Sequence, residues 1–283
     1  MKLSTDLVGQ KLKGLTRRVA WRQTTNYAAA VGETNPRYFD DTRPEGLIAP
    51  PLFAVAVTWP LMTDVSNQLP ALPPEVIPTM VHAGEHLLFH RPVKADDKLT
   101  LSGEVVALLP GKAGTRLVLR SDAADAKGEP VFTEYGIVLF RGVSCEREVG
   151  ADNLPPVPVL ADVEPLWDIA IDVAPKLSYI YDGCSDIVFP IHTSPAFAQM
   201  VGLPGIILQG TATLALAARE LVDRELDGDP ARLRAIACSF RAMVLPGTTI
   251  RLQLLKREND ALGYCVLNAE GQVALQDGYA QIT

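Results

Sequence analysis

Two runs in this chain are so apolar that they must be covered on nearly every side, and each is followed by several segments of strand texture. The first, Ile48 to Met62 (IAPPLFAVAVTWPLM), has prolines at 50 and 51 that suit a helix start, so Leu52 to Trp59 reads as a buried helix. Period alone does not separate it from a buried strand, because the run is apolar on every face. Trp59-Pro60 is expected to disturb its last turn. The second, Ile206 to Leu226 (IILQGTATLALAARELVDREL), is rich in alanine and leucine and has no internal proline, the strongest helix signal in the chain. A sheet that curls around such a helix gives it the cover it needs.

The strands are legible on either side of that argument. In the first half, HAGEHLLFHRPV, KADDKLTLSGEVVALLP and TRLVLRSDAADAKGEPVFTEYGIVLFRG read as strands, with turns at Ala95–Lys98, Gly111–Gly114 and Ala126–Glu129. In the second half the strands are Leu233 to Val244, Thr249 to Arg257, Gly263 to Ala269 and Val273 to Ile282. Upstream, Thr16 to Trp21 reads as a strand and Thr24 to Gly32 as a short helix ended by Gly-Glu-Thr-Asn-Pro; Ser178 to Gly183 holds the matching place in the second half. The chain is thus one α+β unit written twice, a long apolar helix with antiparallel strands. The N-terminal domain spans 1–150, a proline-rich linker 151–165, and the C-terminal domain 166–283. Two such sheets pairing across their edge strands would hide those edges.

Composition removes several function classes. Lys plus Arg number 26 against 33 Asp plus Glu, a net charge of −7 with no basic block, so nucleic acid is not an expected partner. Cys145, Cys184, Cys238 and Cys265 form no close pair and read as small hydrophobes in a reducing compartment. With neither an apolar signal-peptide core nor a membrane-spanning run, the expected location is the cytoplasm and no membrane partner is expected. His82, His86 and His90 share a helical spacing, but their surroundings read as strand or loop and no HExxH accompanies them, so no metal is expected. Nucleotide-binding and serine-hydrolase motifs are absent as well.

The segment best suited to chemistry is Tyr181 to Gly210, YDGCSDIVFPIHTSPAFAQMVGLPGIILQG. His192 is the only histidine of the second half, set between turn signals and the apolar helix, and imidazole exchanges protons near neutral pH. Asp186 is the nearest acid that could act with it; Asp182, Tyr181 and Ser185 are other polar neighbours. Gln209-Gly210-Thr211 opens the helix, where free backbone amides could receive a developing oxyanion. The matching loop of the first half carries Glu33 and Asn35, with Tyr38 where a histidine would be.

At these residues the chain resembles the MaoC-like dehydratases, hotdog-fold proteins that include the (R)-specific enoyl-CoA hydratases. Their segment has the form Y-x-x-x-S-G-D-x-N-P-x-H-x-D, then a helix, then G-x-x-x-P-I-x-H-G. Tyr181, Ser185, Pro190 and His192 match it without a gap, and Gly202 and Gly210 match further on. The resemblance implies a double hotdog whose C-terminal half carries the active loop and whose N-terminal site is degenerate. It implies hydration or dehydration of an acyl-CoA or acyl-carrier-protein thioester without a cofactor. His192 and Asp186 would be catalytic, and Tyr181, Ser185, Gln209, Gly210 and Thr211 would bind substrate. The departures are Ile187 at the aspartate position, Phe189 at the asparagine and Gln209 at a frequent histidine, with Asp186 one residue early. A thioesterase of the same fold and a non-catalytic thioester-binding protein are the alternatives. One chain already supplies both halves, and a homodimer of such chains stays open.

Overall fold

Each apolar run contains a helix, and each half of the chain contributes five strands to one sheet. The computed structural model describes residues 1–63, 65–158 and 163–283. In the first half the elements are β1 (Lys2–Leu3), β2 (Lys11–Arg18), α1 (Trp21–Ala30), α2 (Phe53–Met62), α3 (Val65–Gln68), β3 (Met80–Phe89), β4 (Lys98–Gly111), β5 (Gly114–Ala124), β6 (Pro130–Arg141) and β7 (Ser144–Cys145). The second half holds β8 (Trp167–Asp172), α4 (Leu177–Ser185), α5 (Pro195–Met200), α6 (Gly210–Glu225), β9 (Leu233–Phe240), β10 (Thr249–Glu258), β11 (Ala261–Leu267) and β12 (Val273–Ile282).

Ten strands form one antiparallel sheet in the order β2-β4-β5-β6-β3-β9-β12-β11-β10-β8. Read from either end, the order is the same unit, and the two units meet where β3 pairs with β9 from Gly84↔Ser239 to Leu88↔Ala235. A single apolar core runs through both halves. The helices α1 and α4 also meet, with the Tyr27 and Tyr181 hydroxyls 3.2 Å apart. This is the expected α+β double hotdog, two apolar helices wrapped by antiparallel sheet. Among the described residues no helix is long and apolar enough to cross a membrane. The expected linker has its middle, residues 159–162, outside the described residues.

Several expectations are corrected in detail. The segment 16–21 is not one strand: β2 starts earlier and ends at Arg18, and α1 begins at Trp21. The side chain of Gln23 accepts a hydrogen bond from the Ala20 N–H at 3.2 Å, which caps α1 ahead of the hydroxyls at 24 and 25. The strand β8 has no counterpart in the sequence reading, because WDIAID alternates polar and apolar residues over only one short stretch. The helix α6 starts at Gly210 rather than Ile206, because the approach is extended and Leu208 N–H donates to Val244 O at 2.8 Å.

Pro60 lies inside α2, which continues to Met62. A proline has no N–H, so the carbonyl four residues earlier, Ala56 O, loses its helical donor. Arg17 of β2 replaces it: its Nη1 donates to Ala56 O at 2.8 Å and reaches Val57 O at 3.4 Å. The guanidinium is largely buried there, which lowers its pKa from the ordinary arginine value, while Asp186 works in the opposite direction.

Arg17→Ala is expected to destabilise the fold by about 1–3 kcal/mol, the penalty for a buried acceptor left unpaired. In a Pro60→Ala background position 60 regains an N–H, and the same change at Arg17 should be markedly milder. Urea denaturation of the four proteins reads out that coupling; equal penalties in both backgrounds would refute it.

Candidate functional site

The two halves turn the chain in the same way after their first helix, and that equivalence locates each site residue. Behind α1, Gly32 adopts φ +68°; behind α4, Asp186 adopts φ +58°. Glu33 and Ile187 follow, both buried. Further on, Ile48 N–H donates to Arg37 O and Ile207 N–H donates to Ile191 O, each at 3.3 Å. Tyr38 and His192 each follow the accepting residue directly.

Asp186 therefore occupies the left-handed position that ends a helix. Glycine fits it best, and aspartate is among the few other residues that tolerate it. Its side chain is 70% exposed and lies 3.9 Å from Arg17 Nη2. No hydrogen bond or ion pair joins it to His192, so the structure does not bring together the two residues expected to act as a dyad. Ile187 takes the buried position that the acid Glu33 holds in the first half.

His192 ends a 3₁₀ turn, Pro190–His192, and its Nδ1 lies 2.9 Å from Ile207 O. A carbonyl oxygen can only accept, so Nδ1 carries the hydrogen and Nε2 is left with a lone pair. Burial lowers the pKa of the imidazole below its ordinary 6.5; the Ile207 carbonyl opposes that shift, and His82 adds to it. His192 is thus a neutral base at neutral pH. The Phe189 ring stands 6.4 Å from the imidazole, between centroids, and takes the place of a polar neighbour.

The start of α6 lies just beyond Ile207. Its first two N–H groups, those of Gly210 and Thr211, have no intrahelical acceptor, whereas that of Ala212 donates to Gln209 O at 3.0 Å. Gly210 is required there by close approach: a Cβ would stand 2.9 Å from the Phe240 ring. Gln209 Nε2 donates to Ser178 O at 3.0 Å, tying the helix start to α4. Ser185 Oγ donates to Tyr181 O at 2.6 Å and accepts from Ile187 N–H at 3.2 Å. Tyr181 is fully buried against Tyr27, and burial pushes its hydroxyl up to about 12. Of the residues expected to bind substrate, Tyr181, Ser185 and Gln209 hold the loop in shape, while Gly210 and Thr211 present the helix end.

Beside the helix start lies a cluster around His82 whose two acids, Glu85 and Glu134, the sequence reading did not single out. His82 of β3 stands edge-on to Phe240, with centroids 4.9 Å apart at 70°. Its Nε2 is 3.0 Å from Glu85 Oε1. Glu85 and Glu134 of β6 are both buried on the core face of the sheet. Burial pushes the Glu85 carboxyl up to about 8, with the neighbouring Glu134 partly opposing the shift. Burial, and then the charge of Glu85, hold Glu134 well above the ordinary range. An acid within a buried strand, as in HAGEHLLF and VFTEYGIVLF, was the available signal. Among the described residues no group of three or more His, Cys, Asp or Glu is arranged to hold a metal ion.

The first-half loop is filled instead. Arg219 of α6 donates from Nη1 to Val31 O at 2.6 Å. Glu33 is pushed up to about 8 by burial and by Asp223, with Arg219 opposing and Glu220 adding. Tyr38 is fully buried.

Comparison with known proteins follows the same division. Residues 162–272 match the model of the MaoC like domain, and residues 6–134 match that of the FAS1-like, dehydratase domain region. The chain is 22% identical over 289 residues to the peroxisomal multifunctional enzyme type 2 of Mus musculus, an alignment covering 97% of this chain but only 38% of that protein. It is 28% identical over 217 residues to the 3-hydroxyacyl-thioester dehydratase Y of Mycobacterium tuberculosis, covering 70% of this chain and 71% of that protein. The crystal structure of a MaoC-like dehydratase from Phytophthora capsici superposes with a TM-score of 0.87 at 21% identity, over 98% of this chain and 96% of that one.

The buried acid in the filled loop has a consequence for stability. Folded, Glu33 keeps its proton up to about pH 8, whereas unfolded it loses it near its ordinary value of about 4.5. The folded form binds the extra proton, so stability falls as pH rises between those values. Glu33→Gln should remove part of that fall, on the order of 2 kcal/mol at pH 8 relative to pH 5. Urea midpoints of parent and variant across that range check it; parallel curves would refute it.

Proposed function

We propose that this chain, which belongs to the MaoC-like dehydratase family and carries its double-hotdog fold, is a hydro-lyase that interconverts an enoyl thioester and its 3-hydroxyacyl form. The observation that carries this reading is His192 itself. Its Nδ1 is fixed on the Ile207 carbonyl and its Nε2 is free to accept a proton, next to the helix start at Gly210. In hydration, Nε2 takes a proton from water as the water oxygen bonds to C3. The first amides of α6 receive the thioester oxygen as negative charge develops on it, and the thioester delocalises the charge from C2. The substrate itself provides the stabilisation that a cofactor would otherwise give. The acyl carrier is coenzyme A or a carrier protein, and the whole-protein activities of relatives much longer than this chain are not implied.

A second reading has its own support. Ile187 and Phe189 put apolar groups where the family pattern has polar ones, which favours a protein that binds an acyl thioester without transforming it. A panel of crotonyl-CoA and longer or branched enoyl-CoAs, followed by loss of enoyl absorbance, separates the two. Saturable binding without turnover across the panel would sink the hydro-lyase reading, and release of free thiol would point to a thioesterase.

His192→Ala is expected to lower kcat by about 100- to 10,000-fold. Asp186→Gly, which suits the left-handed backbone, should keep activity within a few-fold of the parent. A loss as large as that of His192→Ala would restore Asp186 to the chemistry. The base must be neutral, so the acid-side fall of kcat/KM for hydration should come only below pH 6.5, because burial lowers the His192 pKa. A pH profile with its acid limb well above 6.5 would contradict the assignment.

A further inference from the structure

Adding water to an enoyl thioester moves two protons, one off the water and one onto C2. His192 accounts for the first. The position of the second group in the family loop is filled by Ile187, and Asp186 faces Arg17. The first half of the chain offers a replacement. At Ala83 the β3–β6 ladder carries one extra residue, since His82 pairs with Val138 and Gly84 with Ile137. That bulge sets His82 and Glu85 on the same face of β3, where His82 Nε2 meets Glu85 Oε1. The Phe240 ring beside His82 is the one that packs on Gly210, so His82 borders the start of α6. His82 is also close enough to His192 to oppose its protonation.

Resting on the hydro-lyase reading, we infer that His82, held by Glu85 and backed by Glu134, is the second proton-handling residue of the His192 site and takes over the work of the missing loop acid. In hydration His192 Nε2 takes the water proton while the C3–O bond forms. The C2–H bond forms with the proton on His82 Nδ1, and Glu85 passes its own proton to His82 Nε2 as that happens. Glu134 lies next in line, its carboxyl within side-chain hydrogen-bonding reach of Glu85, so a proton can pass between the two carboxyls. The proton gained by His192 returns through solvent to His82 Nδ1 while the Nε2 proton passes back to Glu85, so both side chains regain their starting state and one water is consumed with no other reactant. Dehydration runs the same steps in reverse.

Two buried carboxyls in a core face are expensive to keep unless they do something. Their surroundings keep them protonated near neutral pH, as a proton store requires. The titratable groups turned toward the pair from neighbouring elements are Cys238 of β9 and Tyr181 of α4, both held in their neutral forms by burial, with His82 and His192 at the rim. Thr58 of α2 borders Glu134. Glu85 is therefore a positioning and proton-supplying residue acting through His82.

The test uses the full chain with His82→Gln, Glu85→Gln and Glu134→Gln. Each is checked for folding by circular dichroism, and kcat and KM for hydration are measured from pH 5 to 9.5. His82→Gln and Glu85→Gln should lower kcat by about 100-fold with KM within about threefold. The parent should lose hydration activity as pH rises through about 8, where Glu85 gives up its proton, and this alkaline limb should be absent in Glu85→Gln. A folded His82→Gln that keeps kcat within threefold and the parent's pH profile overturns the inference. Histidine titration by NMR stands apart from turnover: the His82 midpoint should move in Glu85→Gln, and an unmoved midpoint overturns the relay even if a variant loses activity through misfolding. A parent that hydrates no enoyl thioester overturns the underlying hydro-lyase reading instead, and the titration still decides whether Glu85 governs His82.

Discussion

The pairing of β3 with β9 is the constraint on which the rest of the molecule depends. Alone, either half would end in a strand with a row of unpaired amides and carbonyls. Joined from Gly84↔Ser239 to Leu88↔Ala235, the two edges satisfy each other and become the centre of a ten-stranded sheet. The inner face of this seam is cut off from water by both helices, so Leu87 opposite Ile236 belongs to the common core. Any polar group there must find its partner within the protein. Glu85, opposite Cys238, finds His82 on its own strand and Glu134 on the next. The seam also carries a first-half histidine to the helix start of the second half, so the candidate site belongs to neither half alone.

The same unit written twice gives two loops with opposite fates. Counting from the equivalent residues Ile48 and Ile207, Pro60 of α2 stands at the place of Arg219 of α6. Arg219 reaches over to Val31 O, and Glu220 and Asp223 bear on Glu33 from the same helix. The longer helix thereby closes the first-half loop. Pro60 can make no such contact, and it even needs help itself. Arg17 comes in from β2 to take the carbonyl that Pro60 leaves free, and Asp186 lies within ion-pair distance of that guanidinium. One substitution in the repeat thus accounts for the filled loop, the buried arginine and the direction of the aspartate. The first half keeps an acid without a histidine and the second a histidine without an acid.

Much of this was legible in the residues. The two apolar runs demanded cover, the strand segments after them supplied it, and the repeat followed from both. His192 stood out because the matching loop has Tyr38, and Gly210 because it opens the longest helix. What could not be read was set by backbone conformation. Asp186 reads as a displaced catalytic acid until its φ of +58° shows that it fills the place of Gly32, where the demand is for a left-handed residue. Pro60 reads as a helix end until a residue from another strand supplies the missing donor. Neither fact lies in the local sequence, because each depends on a partner or a torsion fixed by the rest of the fold.

The three histidines at 82, 86 and 90 show the limit most clearly. In a helix they would share a face, and in a regular strand His82 and His86 would share one too, with Glu85 on the other. The extra residue at Ala83 breaks that parity. His82 turns inward with Glu85 and Leu87, while His86 pairs with Tyr135 on the opposite face, where burial lowers its pKa to about 4. His90 ends up exposed. A one-residue bulge is all that separates a row of histidines along one face from a histidine aimed at a buried carboxyl pair, because side chains in a strand alternate with period two and any inserted residue reverses everything beyond it. No periodicity in the sequence announces such an insertion. It becomes visible only once β6 is laid beside β3 and Val138 and Ile137 are found opposite residues that are not neighbours.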